Sequence, residues 1–585
     1  ATKTTSVDVG VQSGITQMVQ LPGQNPPVAF SARGDKPYMT VTPASGTVGP
    51  NGATLTVTFD PSALKLGTNT GTVIVNYGSA SGPIHANGVQ PVIPVSVSLV
   101  TPVAPTGKNT PPPNSLIVPA VGHLPGANGS FFESDVRVAN TSAQTQKYQL
   151  NFTLTNTDGT QSGQSSTIEI NPGDTMALDD ILSSFFGVGP DGGAATGVLE
   201  IRPLTSDTTS LTATPSVQTV ASSRTFNNTP NGTFGQFIPA IPFSQFAAQG
   251  TRLSLQQIAS SAAYRTNVGL VEAAGQPANV VLHVFDNLGN EIAAIPETIP
   301  PNGQIQLPSN VIPSLTDGRI EVENTSTNGA MITAYASVVD NTTSDPLLVS
   351  PVLKGSVSAQ SYTLPGVGDF ITGNAHWKSD VRVFNSAATP ASVTLSYYAQ
   401  GNAANPVTAT KTIAANSELA IDNLIASTWP QLGSSTAGSL VVTTSSTSSL
   451  VTTARTYTQL TAGTYGQFIP GVTAAQAIGN GDQPLQVLQL ESSTNYRTNI
   501  GLAETTGHAA TAHVSLILPD SKFAISTDIP LAAYEFKQFS LDSFGAGTVY
   551  NGRVSVSVTS GTGRITAYGS VIDQTTQDPT YVPAQ

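Results

Sequence analysis

The sequence from about residue 115 to its end is written twice, and this duplication limits the folds that the chain can adopt. The phrase Tyr-Arg-Thr-Asn-Val-Gly-Leu-Val-Glu at 264–272 returns as Tyr-Arg-Thr-Asn-Ile-Gly-Leu-Ala-Glu at 496–504. Three further phrases return at a similar distance: 134–140 as 379–385, 234–239 as 465–470, and 334–340 as 567–573. A long fixed period is the signature of repeated structural units, so we interpret this part of the chain as a tandem duplication.

Alternation of apolar and polar residues runs through the whole chain and predicts strands. In the first hundred residues it fills 53–59, 71–77 and 94–100, and turns rich in Gly and Pro separate these runs. A period of two residues is typical of a strand with one buried face, and short strands at regular spacing are typical of β-sandwiches. Helical periodicity is confined to 243–248 and 473–478, two equivalent stretches that we interpret as short connectors between paired sandwiches.

These patterns predict an all-β fold of five tandem immunoglobulin-like β-sandwich modules, the last four forming a duplicated pair of pairs. A chain of 585 residues needs several cores, because a single core stops growing at about 250–300 residues. Consecutive prolines predict a semi-rigid linker. The predicted boundaries are 1–103 for the first sandwich, 104–114 for the linker, and 115–245, 246–353, 354–474 and 475–585 for the other four sandwiches.

The segment Tyr38–Val100 carries three motifs in order: x-V-x-P-x-S-G, then L-x-V-x-x-D-P-x-x-L-x-x-G-x-x-x-G-x-V-x-V, then P-V-x-V-x-L. In this it resembles the BACON-type immunoglobulin-like module of bacterial secreted proteins. The rest of the chain resembles tandem bacterial immunoglobulin-like surface modules. The resemblance implies a sandwich fold and, from what is proposed for the BACON family, binding of carbohydrate or mucin. The chain departs from the family at Tyr38-Met39, where a Trp is common.

The charge and composition of the chain exclude several classes of protein. Its net charge of −13 is unsuited to nucleic acid, whose binding requires clustered Lys and Arg. The absence of Cys excludes disulfides and thiolate metal sites. No stretch of apolar residues is long enough to span a membrane. A Thr-, Ser- and Asn-rich strand composition without Cys, and a start without Met, predict an exported bacterial protein, extracellular or on the cell surface, whose signal peptide has been removed.

Two pairs of carboxylates are candidate metal ligands. Asp340 and Asp345 lie five residues apart in one turn, and Asp573 and Asp578 repeat this spacing. Oxygen ligands on a turn can hold Ca²⁺. The alternative is that each Asp bonds the backbone of its own turn, which is the commoner role of Asp at such positions.

Two tryptophans are candidate ligand-binding residues. Trp377 and Trp429 occur only in the second half of the duplication, and an aromatic ring exposed on a loop can stack on a sugar. The alternative is burial, because Phe132 stands at the position equivalent to Trp377 and a Phe in place of a Trp fits an apolar pocket.

The repeated phrases also contain arginines and are preceded by histidines. An Arg beside a Tyr can bind a carboxylate or a sugar, but recurrence in both copies favours a structural role. The residues concerned are Arg137, Arg382, Arg265, Arg497, His123 and His376. Neither H-E-x-x-H nor G-x-S-x-G occurs, so we predict no catalytic residue and no cofactor-binding residue.

These observations predict an exported, elongated, non-enzymatic structural protein. We expect it to self-assemble as a homopolymer, the subunit of a surface filament, sheath or surface layer. Residues 6–20 alternate as a donated strand requires, and an open sheet edge can accept such a strand from a neighbour. The alternative function is that of a cell-surface adhesin or accessory protein that binds polysaccharide.

Overall fold

Strands make up nearly all of the regular structure, and the two α-helices among the described residues are single turns. The all-β class predicted from the sequence is confirmed. The structure is a computed structural model, which describes residues 3–8, 15–21, 24, 26–60, 67–77, 92–100, 110–126, 130–188, 194–204, 219–229, 232–354, 359–372, 375–460, 463–518 and 524–585. Residues 104–109, most of the predicted linker, lie outside this description.

The first eight strands form two small sheets, which we call unit 1. They are β1 (Lys3–Asp8), β2 (Ile15–Leu21), β3 (Val28–Gly34), β4 (Met39–Thr42), β5 (Ser45–Val48), β6 (Ala53–Phe59), β7 (Gly67–Tyr77) and β8 (Val92–Val100). One sheet has the order β1-β8-β7-β3-β5, with β1 parallel to β8, and the other has the order β2-β6-β4. Leu55, Val57 and Phe59 of β6 pack with Val73 and Val75 of β7 in the core, as the alternating pattern predicts.

The next nine strands form unit 2. They are β9 (Leu116–Pro125), β10 (Phe131–Asn140), β11 (Gln146–Leu154), β12 (Gln164–Ile170), β13 (Thr175–Leu178), β14 (Ala195–Leu204), β15 (Thr219–Thr229), β16 (Gly232–Pro239) and β17 (Ile241–Pro242), with the turn α1 (Ile181–Ser184) after β13. Strand order is β12-β11-β14-β9-β10-β15-β16, because β9 pairs with strands of both layers and joins them into one continuous sheet.

Unit 3 contains a five-stranded and a four-stranded sheet, ordered β21-β20-β23-β18-β26 and β22-β19-β24-β25. Its strands are β18 (Arg252–Ser260), β19 (Tyr264–Glu272), β20 (Ala278–Asp286), β21 (Glu291–Ile299), β22 (Gln304–Leu307), β23 (Leu315–Asn324), β24 (Ile332–Asp340), β25 (Pro346–Val349) and β26 (Val352–Leu353). Short 3-10 turns lie at Phe243–Gln245, before the unit, and at Ser309–Val311.

Unit 4 repeats the topology of unit 2, with the order β30-β29-β32-β27-β28-β33-β34. Its elements are β27 (Ala359–Thr372), β28 (Ala375–Asn385), β29 (Ala391–Ala399), β30 (Val407–Ile413), β31 (Glu418–Ile421), α2 (Leu424–Thr428), a 3-10 turn (Pro430–Leu432), β32 (Ser435–Ser448), β33 (Leu450–Leu460), β34 (Gly463–Pro470) and β35 (Val472–Thr473).

Unit 5 repeats unit 3 with two four-stranded sheets, ordered β36-β41-β38-β39 and β40-β37-β42-β43. Its elements are β36 (Leu485–Ser492), β37 (Tyr496–Glu504), β38 (Ala510–Ile517), β39 (Ala524–Leu531), β40 (Phe536–Ser540), a 3-10 turn (Leu541–Phe544), β41 (Val549–Gly561), β42 (Ile565–Asp573) and β43 (Pro579–Pro583).

The cores of units 2 to 5 are each completed by a side chain from another unit. Tyr335 of unit 3 packs in the core of unit 2, and Phe468 of unit 4 packs in that of unit 3. Tyr568 of unit 5 packs in the core of unit 4, and Phe237 of unit 2 packs in that of unit 5. The four units therefore form a closed ring, in which equivalent residues of the two halves make equivalent contacts. The predicted elongated arrangement is wrong for these four units, because unit 5 returns to contact unit 2.

The glycine of the longest repeated phrase lies opposite a tyrosine that also recurs. Gly269 pairs with Tyr335 across β19 and β24, and Gly501 pairs with Tyr568 across β37 and β42. A Cβ atom on Gly269 would lie 1.9 Å from the Tyr335 ring, and one on Gly501 would lie 2.1 Å from the Tyr568 ring. Each tyrosine ring therefore lies directly over the backbone of the paired glycine and packs in the core of the neighbouring unit.

Replacing this glycine should displace the tyrosine. We expect Gly269→Ala to lower the free energy of unfolding by about 2 kcal/mol, since overpacking a core costs about 1–3 kcal/mol, and urea denaturation measures the loss. Gly49→Ala is the control, because no atom lies within 4 Å of the added Cβ. A Gly269→Ala protein as stable as the parent would contradict this packing.

Candidate functional site

Several residues of the repeated phrases, and the turns that follow them, lie close together where the four units meet. Phe234 on β16 of unit 2 stacks on Tyr465 on β34 of unit 4, with ring centroids 5.9 Å apart and ring planes 19° apart. Around this pair lie the two turns that follow β24 and β42. We call the residues 233–236, 464–467, 340–345 and 573–578 the central cluster.

Two aspartates of the central cluster connect different units through hydrogen bonds. Asp573 Oδ2 accepts from the backbone N–H of Thr233 at 2.9 Å and from its hydroxyl at 3.0 Å. Asp340 Oδ2 accepts from the same groups of Thr464 at 3.0 and 2.8 Å. The Oδ1 atom of each Asp accepts from two N–H groups of its own turn. Burial opposes the charged forms, but these donors outweigh it and lower the pKa of Asp340 and Asp573.

The other two aspartates form a buried pair at the centre. Asp578 Oδ2 accepts from the N–H of Gly235 at 2.9 Å, and Asp345 Oδ2 accepts from that of Gly466 at 3.1 Å. Their Oδ1 atoms are buried without a donor, because a carboxylate cannot donate to another carboxylate. A proton on one group lets it donate to the other. Burial raises the pKa of Asp578 to about 7, and burial beside Asp578 raises the pKa of Asp345 well above its ordinary value.

These contacts bear on the predicted calcium ligands. Asp340 and Asp573 bond the backbone of their own turns, which was the alternative role given for them, and they also bond another unit. Their oxygens point at N–H and O–H donors, an environment that suits an anion. Among the residues that the structure describes, no group of three or more His, Asp or Glu side chains could hold a metal ion.

An arginine and a tyrosine extend each of these contacts. The Tyr496 hydroxyl lies 2.8 Å from Thr233 Oγ1, and Arg224 donates to the same oxygen at 2.8 Å while lying over the Tyr496 ring. Tyr264, Thr464 and Arg455 repeat this arrangement in the other half. Sequence reasoning missed Arg224 and Arg455, although Arg-Thr followed by an aromatic residue recurs at 224–226 and 455–457.

Two of the four predicted arginines join units. Arg137 of unit 2 donates to Asn551 of unit 5 at 2.5 Å. At the equivalent position Arg382 of unit 4 donates to Asp317 of unit 3 at 2.9 Å. Burial disfavours the charge of Arg382, but its carboxylate partners, Asp317 first, raise its pKa. These arginines have the structural role that recurrence favoured.

The other two arginines each bond a turn of the central cluster on its own unit. Arg265 donates to Asn341 Oδ1 at 2.9 Å, and Arg497 donates to Gln577 Oε1 at 2.9 Å. Partial burial lowers the pKa of both guanidinium groups. The arginines of the repeated phrases therefore do not converge on a common pocket.

The predicted sugar-stacking tryptophans are buried. Trp377 is 5% exposed and stacks on Phe370, and Trp429 is 3% exposed and stacks on Tyr397. Their faces are covered by protein, as the alternative of burial predicted, so neither offers a surface to a sugar.

The two histidines pair with carboxylates of their own units. His123 Nδ1 lies 2.9 Å from Asp180 Oδ1, and His376 Nε2 lies 2.6 Å from Asp369 Oδ1. The structure thus gives each histidine a partner, but the two partners are not equivalent residues.

Comparison with known proteins gives no match that assigns a function to this chain. No protein-family model matches this chain, and no curated protein matches it. The crystal structure of tripeptidyl peptidase 2 aligns with 80% of this chain and 39% of its own length, at 11% sequence identity and a TM-score of 0.15. The native conformation of E. coli alpha-2-macroglobulin aligns with 99% of this chain and 41% of its own, at 10% identity and a TM-score of 0.10. The chain spans less than half of either protein, and TM-scores this low carry no argument.

Within the described part of the chain, none of the helices has the length and apolar character needed to cross a membrane.

Proposed function

We propose that the chain is a non-enzymatic structural protein of the extracellular surface, the subunit of a homopolymeric filament, sheath or surface layer. The observation that carries this proposal is the use of the repeated polar residues between units. Asp578 holds Gly235, Arg137 holds Asn551, and Arg382 holds Asp317 across unit boundaries. Side chains committed in this way hold four sandwiches together as one body, which a building block of an assembly requires.

One edge strand in each of units 2 to 5 carries a residue that opposes pairing with another chain. Each of β12, β21, β30 and β39 lies at the edge of its sheet. Each carries a charged residue or a proline: Glu169, Pro296, Lys411 and Asp528, respectively. Such residues on an edge hinder the addition of a further strand. Strand addition at these four edges is therefore disfavoured.

Strand β1 is suited to exchange between copies. In this structure β1 pairs with β8 and β2 pairs with β6 of the same chain, whereas the sequence predicted that 6–20 is given to a neighbour; residues 9–14 lie outside the described residues. We propose that a polymer forms when β1 of one chain takes the place of β1 on β8 of the next. Exchange of an identical element needs no new interface, because the same ladder forms between chains.

Removal of β1 tests the proposal. We expect deletion of residues 1–8, or of the longer segment 1–20, to abolish polymers in electron micrographs of the purified protein. The contacts that close the ring do not involve these residues, and β1 touches the ring units at the edge strand β12 of unit 2, so thermal unfolding of units 2 to 5 should change little. Unchanged polymers after deletion, or a parent protein that forms none, would reject the proposal.

Engineered disulfides separate exchange from simple loss of unit 1. Thr5 and Val97 are partners in the β1–β8 ladder, and the chain has no Cys of its own. We expect Thr5→Cys with Val97→Cys to give covalent ladders of chains on non-reducing gels of assembled protein. Met18→Cys with Thr56→Cys, which joins β2 to β6, is the matched control and should give single chains.

A further inference from the structure

The two halves of the duplication differ at the connector between their paired units. In the first half Phe243 and Phe246 fill this junction and are 8% and 3% exposed. The equivalent residues in the second half are Ala474 and Ala477. The backbone follows the same path in both halves, because Ala247 bridges to Ile332 as its equivalent Ile478 bridges to Ile565. The second half thus keeps the connector without the side chains that fill the first.

The walls of the junction change in the same direction. Ile117 and Val198 belong to the apolar cluster of the first half. Register places Thr363 and Ser439 at the equivalent positions, and both hydroxyls are buried without a hydrogen-bond partner. A junction that only had to be filled would not exchange apolar side chains for hydroxyls.

A hydrogen-bonded arginine holds the second connector in place. Met331 packs against the phenylalanines of the first half, and its equivalent is Arg564. The Arg564 guanidinium donates to the carbonyl oxygen of Ala474 at 2.7 Å and to that of Ala477 at 2.5 and 3.0 Å. The connector is therefore held in position without the phenylalanine side chains.

A groove of about 550 Å³ lies between units 4 and 5 beside Ala474, within the size range of small-ligand sites. Its lining includes Gln360, Ser361, Ala474, Gln476, Thr506 and Tyr534. The described lining residues include no Asp, Glu, Lys or Arg. The Ser361 hydroxyl is buried without a hydrogen-bond partner. The lining is thus uncharged and mostly apolar, with a few amide and hydroxyl groups and one aromatic ring.

Tyr534 is held in an unfavourable backbone conformation. Its φ is +55°, and the equivalent Asn302 has a φ of +44°. Asn tolerates the left-handed region, whereas a bulky residue there is an outlier. The Tyr534 ring lies 5.0 Å from that of Tyr398 and against the backbone of Gly507, so its orientation is fixed. The left-handed conformation recurs in both halves because each of these N–H groups donates to a buried glutamate, but only in the second half does it carry an aromatic ring.

We propose that this groove binds a neutral saccharide, an activity beyond the structural role proposed above. Tyr534 supplies an aromatic surface for a sugar ring. The amides of Gln360 and Gln476 and the hydroxyls of Ser361 and Thr506 supply donors and acceptors for sugar hydroxyls. An acidic sugar finds no cation in the lining, since the nearby Arg564 is engaged by backbone carbonyls and by Asp482.

Titration of the full chain with neutral hexasaccharides tests this proposal. The probes are maltohexaose, cellohexaose, xylohexaose, mannohexaose and chitohexaose, with hexagalacturonate as the anionic contrast, followed by calorimetry and saturation-transfer NMR. We expect at least one neutral probe to bind and the anionic one not to bind. Tyr534→Asn, which restores the residue of the first half, should weaken binding by about tenfold or more while thermal stability stays equal or rises.

Refilling the groove gives a second, independent variant. Ala474→Phe restores the first-half residue that lies at the groove and should abolish binding in a protein that unfolds no earlier than the parent. Asn302→Ala is the matched control in the first half and should leave binding unchanged. The proposal is overturned if no neutral probe binds at millimolar concentration, if only hexagalacturonate binds, or if the refilled variant binds like the parent. Polymer formation is scored separately, because it does not depend on this groove.

Discussion

Glutamine in place of Glu504 is expected to lower the free energy of unfolding by about 4 kcal/mol. The Glu504 carboxylate is fully buried and accepts five backbone N–H groups, those of Thr506, Gly507, His508, Tyr534 and Arg564. These donors come from three separate segments of unit 5. An amide offers one acceptor oxygen and turns N–H donors of its own towards the backbone donors. Each buried donor left unpaired costs about 1–3 kcal/mol. The expected loss is smaller than the cost of five unpaired donors because some of them find new partners.

Glu272 gives an internal replicate of this prediction. It accepts from five backbone N–H groups of unit 3 in the same arrangement, so Glu272→Gln should lose a similar amount. Urea denaturation followed by circular dichroism measures both losses. Glu297→Gln, on the edge strand β21, is the control and should change stability by no more than about 0.5 kcal/mol. If either buried variant matched this control, the carboxylate would not be what organises the three segments.

The sequence was sufficient to predict the strands and the connectors. Alternation at 53–59 and 71–77 predicted strands that the structure contains, because the period of two is a local property of a half-buried strand. The connector at 243–248 was predicted from a short helical period, and a 3-10 turn at Phe243–Gln245 occupies it. The burial of Trp377 followed from comparing it with Phe132 of the other half. These conclusions needed only near neighbours or a second copy of the same sequence.

The ring could not be predicted from local patterns. Asp345 and Asp578 were candidate calcium ligands because five residues separate each from another Asp, with backbone bonding in the turn as the alternative. Their hydrogen-bond donors lie on Gly466 and Gly235, 121 and 343 residues away along the chain. Spacing within a turn says nothing about a partner on another unit. The same limit explains why an elongated arrangement was predicted. Nothing in the sequence around Phe237 or Phe468 indicates that these side chains pack in the core of another unit.

The ring is expected to be most stable near pH 4 and to weaken as the pH rises from about 4 to about 7. Unfolded Asp has a pKa near 4, whereas burial raises the pKa of Asp578 to about 7 and that of Asp345 well above its ordinary value. Between these values the folded protein holds protons that the unfolded chain releases, so stability is present on the acid side and is lost as the pH rises through the folded pKa. For one carboxyl, a rise in pKa from about 4 to about 7 corresponds to a loss of about 4 kcal/mol in the free energy of unfolding over that pH range.

Other carboxyl groups also contribute to the pH dependence of stability. Burial also raises the pKa of Glu133 and of Glu418 to about 7, so both add to the loss at high pH. Asp340 and Asp573 act in the opposite sense, because their pKa values are lowered and their contribution disappears as the pH falls below about 4. The maximum of stability should therefore lie near pH 4, because the groups with raised pKa values lose stability above about that pH and those with lowered values lose it below.

Asparagine at the central pair isolates its share of this pH dependence. In Asp345→Asn the amide can donate to the Asp578 carboxylate at any pH, so that carboxylate no longer needs a proton to be paired. We expect the difference in unfolding free energy between about pH 4 and about pH 8 to be smaller than in the parent, and Asp578→Asn should behave alike because the pair is shared. Asp528→Asn, on the exposed edge strand β39, should keep the full difference. If the central variants kept it as well, the proton would reside elsewhere, and Glu133 and Glu418 would be the groups to replace next.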